Sequence, residues 1–238
     1  MRNIIITGAA NGVGKTTAVM LKNENLILVD KDSDSLKIVA KFLKAKYFVA
    51  DVSDVEDIEN LKAFVVENFN RIDCLINCAG IWTKGQLSQL GQEHFAEINK
   101  LEYIKNLIET NTFGIISTIT TFAPIMINQN FGQIINVNSQ SAVEIEEFCP
   151  VYNASKHGSY AYRKAIQRDL AKHNIKITDI CPGLIKTDFY IHANDQLPEE
   201  IMELGLEAND VAKTIVYVLD LPYEITIPSI EVRHIKNY

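Results

Sequence analysis

A serine, a tyrosine and a lysine in the middle of the chain have the types and spacing for proton transfer. Residues 133–137 read as a strand that delivers Ser139 to a loop. Thirteen positions later Tyr152 opens a helical pattern, and Lys156 follows at i+4. That spacing puts the phenol and the ammonium on one helical face, one turn apart. A nearby cation favours phenolate, so it draws a tyrosine down from about 10 towards neutrality. A phenol tuned that way gives or takes a proton at cellular pH, and Ser139 would hold a carbonyl or alcohol oxygen beside it. The plainer reading is a surface Tyr/Lys pair and a turn serine, since a short motif is only a hypothesis. What the rest of the chain brings to the same place decides between them.

The 238 residues are 47% apolar and 22% charged, enough for a core and ordinary for a globular chain. A net charge of −7, spread along the chain, argues against a nucleic-acid surface, which needs a basic stripe. Cys74, Cys78, Cys149 and Cys181 form no C-x-x-C pair, so they read as small buried hydrophobes in a reducing cytosol, with no metal. Cys149 stands close enough to Tyr152 to line a site, without a chemical role of its own. A strand pattern begins at Asn3 with no charged or apolar leader before it, so the expectation is cytoplasmic. The longest apolar segment, 113–127, is interrupted by Ser117, three threonines and Pro124. It is too short and too polar for a membrane span and is expected to be a buried helix.

Apolar runs at 3–7, 26–30, 46–50, 72–76, 133–137 and 175–180 alternate with helical patterns. The helices are expected from the first glycines to about 23, then at 33–43, 54–69, 92–110, 113–127, 152–173 and 210–220, the last capped by Asn209 or Asp210. The tail 224–236 is strand-like. Val/Ile/Leu-rich runs without clean alternation are buried on both faces. The expected fold class is therefore α/β: a single doubly wound, Rossmann-like domain over 1–238, with a parallel sheet of about seven strands and helices on both faces. Ligands of such sheets sit at the carboxyl ends of the strands. Gly8–Gly14, Asp30, Asp51, Asn77–Gly80, Ser139 and Pro182–Gly183 all follow strand ends, so six motifs land on one rim.

The glycine loop has two readings. Gly8, Gly12 and Gly14 after the first strand let a pyrophosphate approach the backbone and the amides of the next helix. The run from Ala9 to Thr16 also falls one residue short of a P-loop, in which Lys15 would reach phosphates and Thr16 a magnesium ion. Asp30, an acid ending the second strand, favours the dinucleotide reading because such an acid binds ribose hydroxyls. A P-loop enzyme wants a magnesium-binding acid ending a later strand, and 136–139 and 178–181 match that poorly.

With these residues in place the chain resembles the short-chain dehydrogenase/reductase family over nearly all its length. Thr7-Gly8-x-x-x-Gly12-x-Gly14 is similar to the family's cofactor loop, Asp51-Val52 to its adenine-contacting pair, and Asn77-Cys78-Ala79-Gly80 to its N-N-A-G signature with Cys78 in place of the second asparagine. Asn111, Ser139, Tyr152 and Lys156 match its catalytic tetrad, and Pro182-Gly183 with Thr187 its P-G-x-x-x-T segment. The resemblance implies a hydride transfer between NAD(P) and a secondary alcohol or ketone. Tyr152 would be the general acid/base, Lys156 would lower its pKa and bind the nicotinamide ribose, Ser139 would orient the substrate oxygen, and Asn111 would hold a relay water. Gly8, Asn11, Gly12, Val13 and Gly14 would wrap the pyrophosphate. Asn77, Ala79 and Gly80 would pack beside the adenosine and its ribose, and Ile185 and Thr187 would contact the carboxamide. Asn111 distorting its helix and Thr187 capping the next helix are the structural alternatives. Asp30 should repel a 2′-phosphate, and Lys31 would soften that, so NAD is expected and NADP stays open.

Three departures stand out. The first helix is about two residues short of the family pattern, the span 80–111 is a few residues long, and the tail lacks a glycine-rich ending. A homodimer through 112–128 and 152–172 is expected ahead of a homotetramer built through the C-terminal segment. The loops over the site should be 81–91, 140–151 and 184–208, the last as substrate loop. Trp82, Phe148, Phe189 and Tyr190 suggest an apolar or ring substrate, with Glu144, Glu146 and Glu147 as a solvated face. Two other functions stay open: a P-loop phosphotransferase or NTPase, and a dinucleotide sensor without catalysis.

Overall fold

The computed structural model describes residues 1–82, 101–147, 149–190 and 197–236. Most of the expected loop 81–91, the start of the helix expected at 92–110, part of the loop expected at 184–208 and Phe148 lie outside them. The strands are β1 (Asn3–Thr7), β2 (Asn25–Asp30), β3 (Lys46–Val49), β4 (Cys74–Asn77), β5 (Gly132–Val137), β6 (Ile175–Pro182), β7 (Ile185–Lys186), β8 (Leu206–Glu207) and β9 (Ser229–Val232). Seven form one sheet in the order β3-β2-β1-β4-β5-β6-β9, with every pairing parallel. β7 and β8 form a small parallel pair of their own.

The sheet is parallel because helices return the chain to the same edge each time. These are α1 (Gly12–Met20), α2 (Ser33–Leu43), α3 (Val55–Asn68), α4 (Leu101–Ile108), α5 (Gly114–Gln129), α6 (Pro150–Ala171), the short α7 (Glu199–Glu203) and α8 (Ala208–Leu219). Successive strand residues point to opposite faces, and both faces are apolar. Ile4 and Ile6 of β1 pack with Ala18 of α1, Leu36 of α2 and Val211 and Ile215 of α8. Ile5 packs the other way, with Ile58 and Leu61 of α3 and Ile119 and Phe122 of α5. Each such side chain, fully buried, contributes about 1.5–3 kcal/mol. Asp32 and Asp54 start α2 and α3 by accepting from the amides of Ser35 (3.1 Å) and Asp57 (3.0 Å).

The element order and the bounds of α2 agree with the sequence pattern. Five local expectations need correction. α1 ends at Met20 rather than about 23. β4 begins at Cys74, two residues late. Glu207 is the N-cap of α8, and Asp210 is its partner, accepting from the Glu207 amide at 3.1 Å. Only Ser229–Val232 of the tail is strand, since Pro228 has no amide to extend the ladder. Finally, α4 and α5 are joined by a π turn at Glu109–Phe113, so Leu101–Gln129 is one helical stretch of 29 residues. Its length and hydropathy would suffice to cross a bilayer, but half of its most apolar window is buried inside the fold.

In-register pairing places Asn77 beside Asn136 and Asn136 beside Asp179, on three adjacent strands. Their side chains form a lateral chain: Asn77 Nδ2 donates to Asn136 Oδ1 (3.0 Å), and Asn136 Nδ2 donates to Asp179 Oδ1 (2.9 Å). Thr118 of α5 closes one end at 3.0 Å from Asn77 Oδ1. Arg163 of α6 closes the other through Nε to Asp179 Oδ2 at 3.1 Å. Arg163 and Asp179 are buried, at 3% and 1% side-chain exposure. Burial pushes the Asp179 carboxyl up, against the bonds from Asn136 and Arg163. A buried pair adds little over apolar packing, but breaking one strands a charge. Asp179→Ala is therefore expected to lose about 3–5 kcal/mol in urea unfolding. The double change Arg163→Met/Asp179→Leu should recover most of it, and a loss for Asp179→Ala alone within the scatter of surface substitutions would contradict this assignment.

Candidate active site

The rim is built first by the glycine loop. Gly8 has φ +66°, and a Cβ there would stand 2.6 Å from the Ala79 amide nitrogen; a Cβ at Gly14 would stand 2.1 Å from the Gly8 carbonyl oxygen. Only glycine lets β1, the end of β4 and the start of α1 approach this closely. Asn11 is the exposed N-cap of α1, and its side chain makes no capping bond. The first-turn amides of α1 have no intrahelical partner. Val13 is half-buried behind them. Lys15 is exposed, and Thr16 donates to the Gly12 carbonyl at 2.8 Å. The hydroxyl that a P-loop would direct at a metal is engaged within its own helix.

At the end of β2, Asp30 accepts from the Ala10 amide and the Asp32 amide, both at 3.0 Å. One carboxylate thus ties the glycine loop to the next turn. Lys31 pairs with Asp51 at 3.2 Å. Burial works upward on Asp51, but bonds from Ser53 and the charge of Lys31 outweigh it and hold this carboxyl below its usual range. Val52 is buried against Gly114, and its carbonyl accepts from Ser117 at 2.9 Å.

The four proton-transfer candidates converge. The Ser139 hydroxyl stands close enough to the Tyr152 phenol to favour its phenolate, and it accepts from the Ser141 amide at 3.1 Å. Lys156 Nζ lies 5.7 Å from the Tyr152 ring centre. A Cβ on Gly80 would be 3.3 Å from Asn111 Oδ1 and 3.6 Å from Lys156 Nζ. Asn111 sits within the π turn, which gives the helix one extra residue just where this side chain must face the β4 loop. Its Oδ1 accepts from the Ile81 amide (2.8 Å), and its Nδ2 donates to the Ile81 carbonyl (2.9 Å) and to Ser155 Oγ (3.1 Å). The amide is fully engaged, so the side chain clamps the segment after Gly80. Ser155 was missed by sequence reasoning; its position at i+3 from Tyr152 was the available signal.

The sign of the tyrosine's shift differs from expectation. Burial, then the neighbouring Tyr190, push the phenol well up, and the Ser139 hydroxyl does not offset them. Tyr152 is 5% exposed, covered by Trp82 with ring centres 4.7 Å apart. Lys156 is itself pushed down to about 8 by burial, against the attraction of Cys181 and Asp179. Desolvation of the phenolate outweighs the pull of the cation, whose Nζ lies 5.7 Å from the ring centre.

The other expected residues divide. Ala79 and Gly80 are half-buried at the rim, whereas the Asn77 side chain is buried at 1% exposure in the lateral amide chain and reaches the rim only through its backbone. Pro182 ends β6, and the Gly183 amide bonds the Val232 carbonyl at 2.9 Å. Ile185 lies in β7. Thr187 stands across from Gly12, with its Cγ2 3.7 Å from a Cβ built there, and its Oγ1 accepts from the Phe189 amide at 3.4 Å. Tyr190 packs on Trp82 at 5.3 Å and on Phe189 at 5.7 Å. Of the three loop acids, Glu144 and Glu147 are exposed, and Glu144 pairs with Arg233 at 2.9 Å. Glu146 turns inward, contrary to the solvated face expected for it.

Comparison with known proteins fits this arrangement. An uncharacterised oxidoreductase of Staphylococcus saprophyticus is 27% identical over 237 residues, covering 96% of this chain and 95% of its own. An alcohol dehydrogenase from the archaeon Thermococcus sibiricus, solved in complex with 5-hydroxy-NADP, superposes with a TM-score of 0.86 at 22% identity, covering 100% and 98% of the two chains. A serine dehydrogenase solved with NADP+ gives a TM-score of 0.89 at 23% identity, covering 99% and 96%. These structures share the fold, a parallel seven-stranded sheet wrapped by helices. The short chain dehydrogenase family model matches residues 2–198. With that match across most of its length, the chain belongs to the short chain dehydrogenase family of oxidoreductases.

Proposed function

We propose that this protein is an NAD(P)-dependent oxidoreductase that moves a hydride between a nicotinamide and a secondary alcohol or ketone, in one catalytic domain. The observation that carries this reading is that Asn111, Ser139, Tyr152 and Lys156 gather at the same sheet edge as the glycine loop and Gly80. The residues present fit a dinucleotide: Gly8 and Gly14 leave no room for a Cβ, and the open amides of α1 would face an anion. Gly8, Asn11, Gly12, Val13 and Gly14 would hold the pyrophosphate. Asp30 and Lys31 would meet the adenosine ribose, Asp51 and Val52 the adenine, and Ala79, Gly80, Pro182, Gly183, Ile185 and Thr187 the remainder. When bound, the dinucleotide supplies or accepts the hydride.

The chain's own groups handle the proton. In ketone reduction Tyr152 gives its proton to the carbonyl oxygen; in alcohol oxidation the hydroxyl proton leaves through the same phenol. A phenol held up by burial stays protonated through neutral pH, the state that serves reduction. Ser139 holds the reacting oxygen, and Asn111 fixes the backbone after Gly80. Our reading of the cofactor is NAD: Asp30 places a negative charge where a 2′-phosphate would come, and the adjacent Lys31 is held by Asp51. NADP remains the alternative, since related folds were solved with it. The groove between α5 and α6, lined by Ile119, Ala123, Pro124, Tyr162 and Ile166, suits a homodimer. The four free cysteines suit a reducing, cytoplasmic setting.

Two outcomes follow. Tyr152→Phe should lower turnover by about 10²–10⁴-fold while leaving NADH binding intact; undiminished activity on every alcohol and ketone tried would refute the mechanism. Lys156→Met should abolish turnover yet stabilise the fold at pH 7. The lysine's pKa is depressed from 10.5 to about 8 on folding, so protonation favours the unfolded chain. The gain, about 1–3 kcal/mol, should be full below the folded pKa and fade as pH rises through the unfolded one. Urea midpoints across that range check it; a gain that grows with pH would contradict it.

A further inference from the structure

The loop after Ser139 carries Glu146 into the site's aromatic cluster. Its Oε1 accepts from Gln140 Nε2, and its Oε2 accepts from Ser141 Oγ at 3.1 Å and faces Cys149 Sγ at 3.4 Å. Cys149 is 1% exposed and packs in one cluster with Trp82, Leu107 and Tyr152. All three donors are neutral, and no Lys, Arg or His among the described residues pairs with this carboxylate. A carboxylate turned inward onto neutral donors favours a cation beside it.

A second observation points the same way. The bond from its Nε2 to Glu146 fixes the amide orientation of Gln140. Gln140 Oε1 is then buried with no hydrogen-bond partner among the described residues, beside Gly183, where a built Cβ would be 2.9 Å away. A buried acceptor left unmatched costs roughly 1–3 kcal/mol. Glu146 thus reaches Cys149, which packs with Trp82, Tyr152, Phe189 and Tyr190, and Gln140 holds its other oxygen.

One ligand chemistry answers all of these. An ammonium has a positive charge, three donors and no acceptor, and it is attracted to aromatic faces. A hydroxyl would supply a single donor and no charge, and an apolar ring neither. We propose that the substrate carries a protonated amine close to its carbinol carbon, held by Glu146 and Gln140. This rests on the oxidoreductase reading above and names its substrate class. The amine takes no part in hydride transfer. Its charge would also oppose that of Glu146, one of the groups that raise the phenol, so the substrate itself would ready Tyr152.

Trp82 is the chain's only tryptophan, so its fluorescence reads this site without turnover. The probes are 1-amino-2-propanol and 2-butanol, which share one heavy-atom skeleton. The wild-type protein should respond to the amine at a concentration about tenfold or more below that for 2-butanol. Glu146→Gln, which keeps the shape but removes the charge and one acceptor, should erase that preference while 2-butanol is still bound. Gln140→Met, with the charge intact, should reduce it severalfold and serves if the first variant does not fold. The ratio of kcat/KM for the amine to that for 2-butanol should fall in the same way. Equal responses to both probes, or an amine preference that survives Glu146→Gln, would overturn the proposal. Loss of Trp82 quenching by both NADH and NADPH would instead remove the oxidoreductase reading, while normal quenching without amine preference removes only this one.

Discussion

The lateral chain from Thr118 through Asn77, Asn136 and Asp179 to Arg163 is the constraint on which the rest of this molecule depends. It runs across β4, β5 and β6 at the edge where the loops depart, and it joins α5 on one side to α6 on the other. An apolar sheet interior is non-directional and tolerates a slipped register. Polar groups in a row do not, because one step of slip would leave several buried amides unmatched at once. The register that satisfies them also sets where Ala79, Ser139 and Pro182 leave their strands, and therefore where the site's walls stand.

Above that frame the site is built against stability. Lys156 is buried at a cost that the attraction of Asp179 does not offset, and Tyr152 lies under Trp82. Each would be more comfortable in water. Such conflicts between local preference and global fold cluster where function demands them. The π turn at Glu109–Phe113 belongs to the same class: it sacrifices regular helix bonding to aim Asn111 at Ile81. Glu146 is a further case, a charge held inward by three neutral donors.

Much of this was legible in the sequence, for identifiable reasons. Apolar runs alternating with helical periods dictate a parallel sheet, and the placement of Asp30, Ser139 and Pro182 after strand ends puts them on one rim. Asp32 and Asp54 mark helix starts by chemistry that is local in the chain. What was not legible depends on register and on burial. Nothing near Asn77 in sequence says that its amide will meet Asn136 and Thr118 rather than a ligand. The i+4 spacing of Tyr152 and Lys156 gave their shared face correctly, but the sign of the phenol's shift depends on Trp82, seventy positions away. Three glutamates in one loop look equivalent until the fold turns Glu146 inward and leaves the other two in solvent.

The most direct test is a titration of Trp82 fluorescence with NADH, NADPH and Mg-ATP, side by side on the whole protein. The account predicts that NADH quenches saturably and more tightly than NADPH, and that Mg-ATP does not. Tight binding of Mg-ATP with no response to either dinucleotide would contradict it and would return the site to Lys15 and Thr16.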